Sequence, residues 1–450
     1  MNETHKKNGV RKTQKRKSAS PLKNTGQTRN THRKNIYKKS RYYRDRRKKM
    51  IAALCVAGAV LLLLVIIFGS RACSQARSSS AASDGQNTQT GTENSRESAV
   101  SEKEGSKDDG SEAQDETGGV QSEETSSLPA EPVSLTVSVV GDCTLGTDEN
   151  FDYDTSLNAY YESYGPDYFF SNVKSIFSAD DLTIANFEGT LTYSEEREDK
   201  QFAFKAPPEF ASILSAGDIE AVNTANNHSH DYGEQSFTDT MEALDNEGIV
   251  HFGYDETQVM DVKGVKVGLV GIYELNDHLE RTEQLKQNIA RVKEEGAQLV
   301  IVIFHWGNEK EEVPDTNQMT LGRLAIDEGA DLVCGHHPHV LQGIEEYKGK
   351  NIVYSLGNFC FGGNSYPSDM DSMIFQQTFT IGENGVQADN VTNIIPCSIS
   401  SAYGYNNYQP TPAEGTEADR ILQKIEERSS YIQPASEASE TAEAAGAISQ

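Results

Sequence analysis

Six short apolar runs in this chain each end in a cluster of polar residues. The recurrence of this pattern restricts the folds that the chain can adopt. Such runs are typical of strands buried in an α/β protein, where polar residues at the carboxyl ends of the strands meet in one crevice. Asp, Glu, Asn and His recur in the clusters, and these residue types bind divalent metal ions. The clusters are Gly141-Asp142, Asn186-Phe187-Glu188, Asn226-Asn227-His228, Phe304-His305-Trp306, His336-His337-Pro338-His339 and Gly357-Asn358-Phe359.

Helical patterns separate several of these runs. The clearest covers residues 279–295, where Leu285, Ile289 and Val292 recur at helical spacing before Gly296. Strands that alternate with helices predict a layered α/β domain whose sheets are buried by helices. We predict strands over residues 135–141, 182–186, 221–223, 265–273, 299–304, 331–334 and 351–355. We predict further helices over residues 207–216, 233–247, 316–328 and 417–428.

Charge is distributed unevenly along the chain, whose net charge is −27. Residues 1–49 hold 19 Lys and Arg against Glu3 and Asp45, whereas residues 50–69 carry no charged side chain. As a helix of ~1.5 Å per residue, this apolar segment spans ~30 Å, the thickness of a bilayer core. The positive-inside rule predicts a single-pass protein of the cell membrane, with a cytoplasmic N-terminus and an extracellular main domain.

A cleaved signal peptide is the alternative interpretation of residues 50–69. The long basic region and the length of the apolar run favour an uncleaved transmembrane helix. The basic tail contains no nucleic-acid-binding motif, so we expect it to contact anionic lipid and predict no nucleic-acid partner.

Composition also predicts the domain boundaries. Residues 1–49 form the basic cytoplasmic tail, and residues 70–132, rich in Ser, Glu, Gly and Thr, predict a disordered acidic linker. The folded domain is predicted over 133–410, followed by a C-terminal helix and disordered tail over 411–450. The six cysteines show no spacing that predicts a disulfide.

The polar clusters predict a metal site. Taken singly, each residue has an ordinary alternative role as a turn cap, a loop hydrogen-bonding group or a core histidine. The prediction depends on their clustering, since six of the ten His residues follow apolar runs. We predict two divalent ions, of Mn, Fe or Zn, held by a shared carboxylate. The predicted ligands are Asp142, Glu188, Asn227, His305, His337 and His339.

His228 directly follows a predicted ligand and is predicted to be a catalytic general acid. Asp231 lies three residues further on and is predicted to orient the imidazole of His228. These two are the predicted catalytic residues.

The clusters also carry a family resemblance, through motifs that occur in a fixed order over residues 135–365. They are Gly141-Asp142-x-x-Leu145-Gly146, Asn186-Phe187-Glu188-Gly189, Phe204-Lys205-Ala206-Pro207, Ala225-Asn226-Asn227-His228-x-x-Asp231-x-Gly233, His305-Trp306-Gly307-x-Glu309, Gly335-x-His337-Pro338-His339-Val340-x-Gln342 and Ser355-Leu356-Gly357-Asn358-Phe359. Together they resemble the bacterial capsule-synthesis CapA (PgsA-like) family, which is similar to calcineurin-like metallophosphoesterases. The resemblance implies a four-layered metallophosphoesterase-like sandwich of two mixed sheets flanked by helices, placed behind the transmembrane helix and linker.

The resemblance also implies roles for single residues. It matches Asp142 to the first-motif aspartate, Glu188 to the bridging carboxylate, Asn227-His228 to the Asn-His pair, His305 to the fourth-motif histidine, and His337 and His339 to the closing pair. Two positions depart from the metallophosphoesterase pattern, because Thr144 stands where a His is expected and Glu188 where Asp is usual. One metal position is therefore expected to be weak or empty, so phosphoesterase activity does not follow from the resemblance.

Three functions remain open on this basis. The first is a role in capsule or poly-γ-glutamate synthesis or export, within a membrane-bound polymer synthetase complex. An anionic polymer such as poly-γ-glutamate would then lie in a groove lined by Lys205, Glu309 and Asn358. The second is a metal-dependent phosphodiesterase or phosphatase that acts on cell-envelope phosphates. The third is a non-catalytic surface scaffold, so the sequence leaves open whether the protein is an enzyme.

Overall fold

The computed structural model describes residues 131–387 and 389–434. The predicted cytoplasmic tail, the predicted transmembrane helix and nearly all of the predicted linker lie outside these residues, as does the end of the C-terminal tail. Among the helices of the described residues, none combines the length and the apolar character that crossing a membrane requires.

The described chain alternates strands with helices. The strands are β1 (Val133–Thr144), β2 (Leu182–Phe187), β3 (Thr190–Leu191), β4 (Lys205–Ala206), β5 (Ala221–Asn223), β6 (Val250–Phe252), β7 (Gln258–Val262), β8 (Val265–Tyr273), β9 (Leu299–His305), β10 (Leu332–His336), β11 (Ile344–Tyr347), β12 (Lys350–Val353), β13 (Asn358–Phe361), β14 (Asp371–Gly382), β15 (Gly385–Val386), β16 (Val391–Ser398) and β17 (Thr411–Pro412). The α-helices are α1 (Leu157–Tyr164), α2 (Lys174–Phe177), α3 (Ser212–Ala216), α4 (Glu234–Asn246), α5 (Thr282–Glu294), α6 (Thr316–Glu328) and α7 (Gly415–Ser429).

Two mixed sheets form the centre of the domain. The first has the order β17-β16-β14-β1-β2-β5-β6, with β13 paired to β1 and β15 paired to β14. Its strands β1, β2, β5 and β6 run parallel, whereas β14 and β16 run antiparallel. The second has the order β11-β12-β10-β9-β8-β7 and is parallel except at its two edges. The predicted α/β class is therefore confirmed.

Alternate residues along the central strands pack on opposite faces of the sheets. On β2, Ile184 belongs to an apolar cluster that includes Leu269 and Ile301 of the second sheet, so this cluster lies between the sheets. Its neighbour Ala185 belongs to a different cluster, which includes Leu214 of α3 on the outer face of the first sheet. Because successive side chains of a strand point to opposite faces of the sheet, β2 contributes residues to the apolar clusters on both faces.

A third apolar cluster covers the outer face of the second sheet. There Val302 of β9 packs with Ile289 of α5 and Leu321 of α6. The described residues therefore form four layers in the order helices, sheet, sheet, helices. Burying each of these aliphatic side chains contributes about 1.5–3 kcal/mol.

The strand register brings the chemistry-bearing residues to one edge of the two sheets. In the first sheet, Asp142 is aligned with Asn186 on the neighbouring strand. In the second sheet, His305 is aligned with His336. Because these positions lie at the carboxyl ends of parallel strands, their side chains meet where the two sheets pack together.

Candidate metal centre

Glu188 is the centre of the polar cluster. It follows β2 directly, is fully buried, and neither of its carboxylate oxygens has a hydrogen-bond partner among the described residues. The Nε2 atoms of His228, His305 and His339 lie 3.8, 3.9 and 3.8 Å from Glu188 Oε1. These distances are too long for hydrogen bonds. Burial raises the pKa of Glu188 to about 8, and the positive charge of His339 only partly opposes it.

The donors around Glu188 fit a divalent ion. Ligand atoms of Glu188, His337 and His339 all lie within 4.8 Å of one another, and His337 Nδ1 is buried without a partner in the described structure. Two ligands bound at about 2.0–2.2 Å to one ion stand roughly 3.0–3.6 Å apart, so modest side-chain closure would suffice. A buried carboxylate ringed by imidazole nitrogens is the donor set that Zn, Mn and Fe prefer.

The turn after β10 orients the closing histidines. His337 and His339 have positive φ angles of 94° and 57°, a conformation uncommon for residues other than glycine. Pro338, which lies between them, fixes its own φ. Such a backbone costs about 1–3 kcal/mol per residue and is found mainly at functional sites. The turn thereby directs both imidazoles towards Glu188.

His305 ends β9 and connects Glu188 to the residues after β5. Its Nε2 lies 2.7 Å from Asn227 Oδ1, and its Nδ1 lies 3.3 Å from Asn186 Nδ2. Burial and the neighbouring His337 hold the pKa of His305 well below its usual range. Burial also lowers the pKa of His337 to about 3. Both imidazoles are therefore neutral near pH 7, which is the form that binds metal.

Four nitrogen atoms of the protein lie near the Asp142 carboxylate, and two of them donate hydrogen bonds to it, in contrast to Glu188. Asn186 Nδ2 donates to its Oδ1 at 2.8 Å, and the His337 backbone N–H donates to its Oδ2 at 3.4 Å. His339 Nδ1 lies 3.1 Å from Oδ2, and His336 Nδ1 lies 3.3 Å from Oδ1. Burial acts to raise the pKa of Asp142, but the imidazoles of His336 and His339 outweigh it and hold the pKa well below its usual range.

The predicted catalytic pair is in contact. His228 Nδ1 lies 2.8 Å from Asp231 Oδ2, and Asp231 also accepts a hydrogen bond from the Phe204 backbone N–H. Lys200 forms an ion pair with Asp231 and donates to the backbone carbonyl of Asn227 at 2.7 Å. The sequence analysis missed Lys200, because it lies in a loop without periodicity or motif.

The three predicted substrate-binding residues lie in different surroundings. Lys205 Nζ donates to the Ser194 carbonyl at 2.6 Å and lies 4.0 Å from the centre of the Tyr232 ring. Asn358 is buried, and its Oδ1 lies 2.9 Å from His339 Nδ1, so it holds a predicted ligand. Glu309 is exposed, and its charge helps to raise the pKa of Glu188 and His339.

His336 and Asn186 are further residues that sequence reasoning did not assign to the site. Asn186 connects Asp142 and His305, and its own carbonyl oxygen accepts from Asn223 Nδ2 at 2.8 Å. Their positions inside the quoted motifs were the available signal, since both stand at strand ends next to predicted ligands.

Comparison with known proteins shows which family the chain resembles. Residues 136–363 match the family model described as bacterial capsule synthesis protein PGA_cap. The chain is 31% identical to the PGA biosynthesis protein CapA of Bacillus subtilis over 281 residues, 58% of this chain and 71% of that protein. It is 28% identical to the capsule biosynthesis protein CapA of Bacillus anthracis over 291 residues, 59% of this chain and 67% of that protein.

Likeness to solved structures is weaker. A hypothetical protein from Thermus thermophilus matches with a TM-score of 0.36 and 14% identity, covering 58% of this chain and 98% of that one. A score of this size supports no conclusion about function.

Proposed function

Because the chain belongs to the bacterial capsule synthesis protein PGA_cap family, we propose that it acts in the synthesis or export of an anionic capsule polymer of the poly-γ-glutamate type. In this proposal residues 50–69 anchor it in the cell membrane and the folded domain lies outside the cell. Polymer assembly takes place with a membrane-bound synthetase, since the sequence has no Gly-rich phosphate-binding loop for ATP. We also propose that the domain has a metallophosphoesterase-like fold. The four layers of helices, sheet, sheet and helices support this.

A divalent metal centre is the proposed chemical core of this function. The observation that carries it is Glu188, a buried carboxylate without a hydrogen-bond donor among the described residues, towards which three imidazole Nε2 atoms point. A bound divalent ion would polarise a carbonyl or phosphoryl oxygen of a substrate. It would also offset the charge of an anionic polymer in a chain whose net charge is −27.

Protein groups around this centre have separate roles. Glu188, His337 and His339 hold the ion, and His305 and Asn227 lie beside it. Asp231 fixes the Nδ1 side of the His228 imidazole, so Nε2 of that ring faces the centre and can exchange a proton with a bound substrate. Lys200 balances the charge of Asp231.

A genetic experiment tests the capsule role. The gene is deleted from its bacterium and restored either as wild type or as Glu188→Gln, and glutamate released by acid hydrolysis of the surface polymer is measured. We expect the deletion to lose the polymer and only the wild type to restore it. Equal polymer in the deleted strain contradicts the capsule role, whereas full restoration by Glu188→Gln favours a scaffold without metal chemistry. Immunoblotting verifies that both forms reach the same level.

A second candidate is a metal-dependent phosphodiesterase acting on envelope phosphates. The His228–Asp231 pair beside Glu188 favours it, because such a pair supports proton transfer. Hydrolysis of bis(p-nitrophenyl) phosphate with added Mn²⁺ tests it. We expect turnover to fall at least about 10²-fold in His228→Gln, the usual contribution of general acid–base catalysis. Wild-type protein that binds Mn²⁺ but does not hydrolyse the diester would exclude this candidate in favour of polymer handling.

A further inference from the structure

Two buried carboxylates at the centre differ in how protein donors surround them. A carboxylate accepts about four hydrogen bonds, two on each oxygen. Asn186 and His336 face Oδ1 of Asp142, whereas His339 and the His337 N–H face Oδ2. Two of these nitrogens, Asn186 Nδ2 and the His337 backbone N–H, donate hydrogen bonds to Asp142. Glu188 accepts no hydrogen bond from the described residues.

The imidazole of His339 lies between these carboxylates. Its Nδ1 is 2.9 Å from Asn358 Oδ1 and 3.1 Å from Asp142 Oδ2, and its Nε2 is 3.8 Å from Glu188 Oε1. Metal-binding histidines usually donate their other ring N–H to a carboxylate, which fixes the tautomer and the orientation of the ring. Asp142 and the closer Asn358 side-chain oxygen together have the position of the orienting group, and Glu188 has the position of a ligand.

Residue 144, where the metallophosphoesterase pattern has a His, is Thr in this chain and supplies no imidazole beside Asp142. Thr144 is buried there, and its hydroxyl has no partner among the described residues. His336 is fully buried against Asp142 Oδ1, in a geometry that makes no hydrogen bond. Among the Asp, Glu, His and Cys side chains of the described residues, Glu188, His337 and His339 form a group with metal-site spacing, and Asp142 is not part of it.

We propose that the centre holds one divalent ion, bound by Glu188, His337 and His339. Asp142 is then a positioning residue that orients His339 together with Asn358, and His336 in turn packs against Asp142. The inference rests on the metal centre of the proposed function. The sequence predicted two ions with one position weak or empty, and the inference assigns a single ion to Glu188, His337 and His339.

Metal content of the purified full-length chain tests the number of ions. Detergent-solubilised protein is loaded with Zn²⁺, dialysed and measured by inductively coupled plasma mass spectrometry. We expect one Zn²⁺ more per chain in wild type than in Glu188→Gln, which removes a ligand. Glu383→Gln, at an exposed turn, is the matched control and should bind as wild type does.

Asp142→Asn distinguishes positioning from ligation. It should keep one Zn²⁺ per chain with an affinity about 10–100-fold weaker, as expected when a group behind a ligand is lost. With Co²⁺ as the probe, its visible absorption band should persist at shifted wavelength, whereas Glu188→Gln should abolish the band. His336→Gln should also keep one ion, and it provides a second test if Asp142→Asn does not fold, as judged by circular dichroism.

Two ions in the wild type, or loss of the ion in Asp142→Asn or His336→Gln to the extent seen in Glu188→Gln, would overturn the one-ion inference. Absence of Glu188-dependent Zn²⁺ from the wild type would overturn the metal centre itself. The two failures are therefore distinguishable.

Discussion

Glu220 is a single residue whose ionisation opposes folding. Its Oε2 accepts a hydrogen bond from the Thr183 N–H at 2.8 Å, but burial raises its pKa to about 7, and the charge of Asp180 adds to this. When a carboxyl group has a higher pKa in the folded than in the unfolded protein, the folded protein loses stability as pH rises between the two pKa values. The folded domain should therefore lose stability between about pH 4.5 and pH 7, the pKa values of the unfolded and folded states.

Replacing Glu220 with Gln should remove this loss. The amide keeps an oxygen that can accept from Thr183 and carries no charge to desolvate. We expect Glu220→Gln to raise the free energy of unfolding at pH 8 by about 1 kcal/mol, after allowing for solvent screening, and to change it little at pH 4.5. Urea unfolding followed by the fluorescence of Trp306, the single tryptophan, measures both values. An equal effect at the two pH values would show that ionisation of Glu220 is not the cause.

Sequence reasoning identified the residues of the site better than their partners. Glu188 and His305 were predictable because each ends an apolar strand. The pairing of His339 with Asp142 was not, since it depends on how two sheets pack and on positive φ angles after β10. Asn358 was assigned to substrate, but the register of β13 against β1 brings it next to His339.

Among the elements, the central parallel strands were predicted, whereas the short parallel strands β6 and β13 and the antiparallel strands β14 and β16 were not. The central strands are continuous apolar runs because both of their faces are buried. Strands β14 and β16 follow the motifs and were not predicted. Buried and partly exposed residues alternate on β14 only over residues 375–381, and β16 begins with three exposed residues. Helix α7 was predicted over residues 417–428, beyond the predicted domain bounds of 133–410. In the structure its Ile421 and Ile425 belong to the apolar cluster between the sheets.

Helix α7 is expected to stabilise the domain through its apolar face. Ile425 is 3% exposed, so Ile425→Ala should lower the free energy of unfolding by about 3 kcal/mol, the usual cost of such a cavity. Leu422 lies on the same helix but is 38% exposed, and Leu422→Ala should cost less than about 0.5 kcal/mol. Similar losses in both variants would contradict a specific role for the buried face. Urea unfolding of the two variants gives the comparison.

The same helix contacts the loop that follows the closing histidines. Arg428 donates to the Leu341 carbonyl and pairs with Glu312 at 2.5 Å. Because Leu341 lies two residues after His339, Arg428→Met should disturb the histidine turn, and we expect Zn²⁺ affinity to fall several-fold. Isothermal titration calorimetry measures it. Lys424→Met on the same helix, which removes ion pairs with Asp369 and Asp371, is the control and should leave the affinity unchanged.

For the whole molecule, the centre couples metal binding to folding. Its proposed ligands come from the segments that follow β2 in the first sheet and β10 in the second, so an ion bound there joins both layers of the core. A ligand that binds only the folded state stabilises it by about 2.7 kcal/mol when present at 100 times its dissociation constant. We therefore expect Zn²⁺ to raise the unfolding temperature of the wild type by several degrees, measured by the fluorescence of Trp306 next to His305. Glu188→Gln should show no such rise, because it lacks the charged ligand that connects the histidines. If Zn²⁺ stabilised both proteins equally, the ion would have to bind elsewhere. Metal binding between the segments that follow β2 and β10 would then not be the cause of the stabilisation.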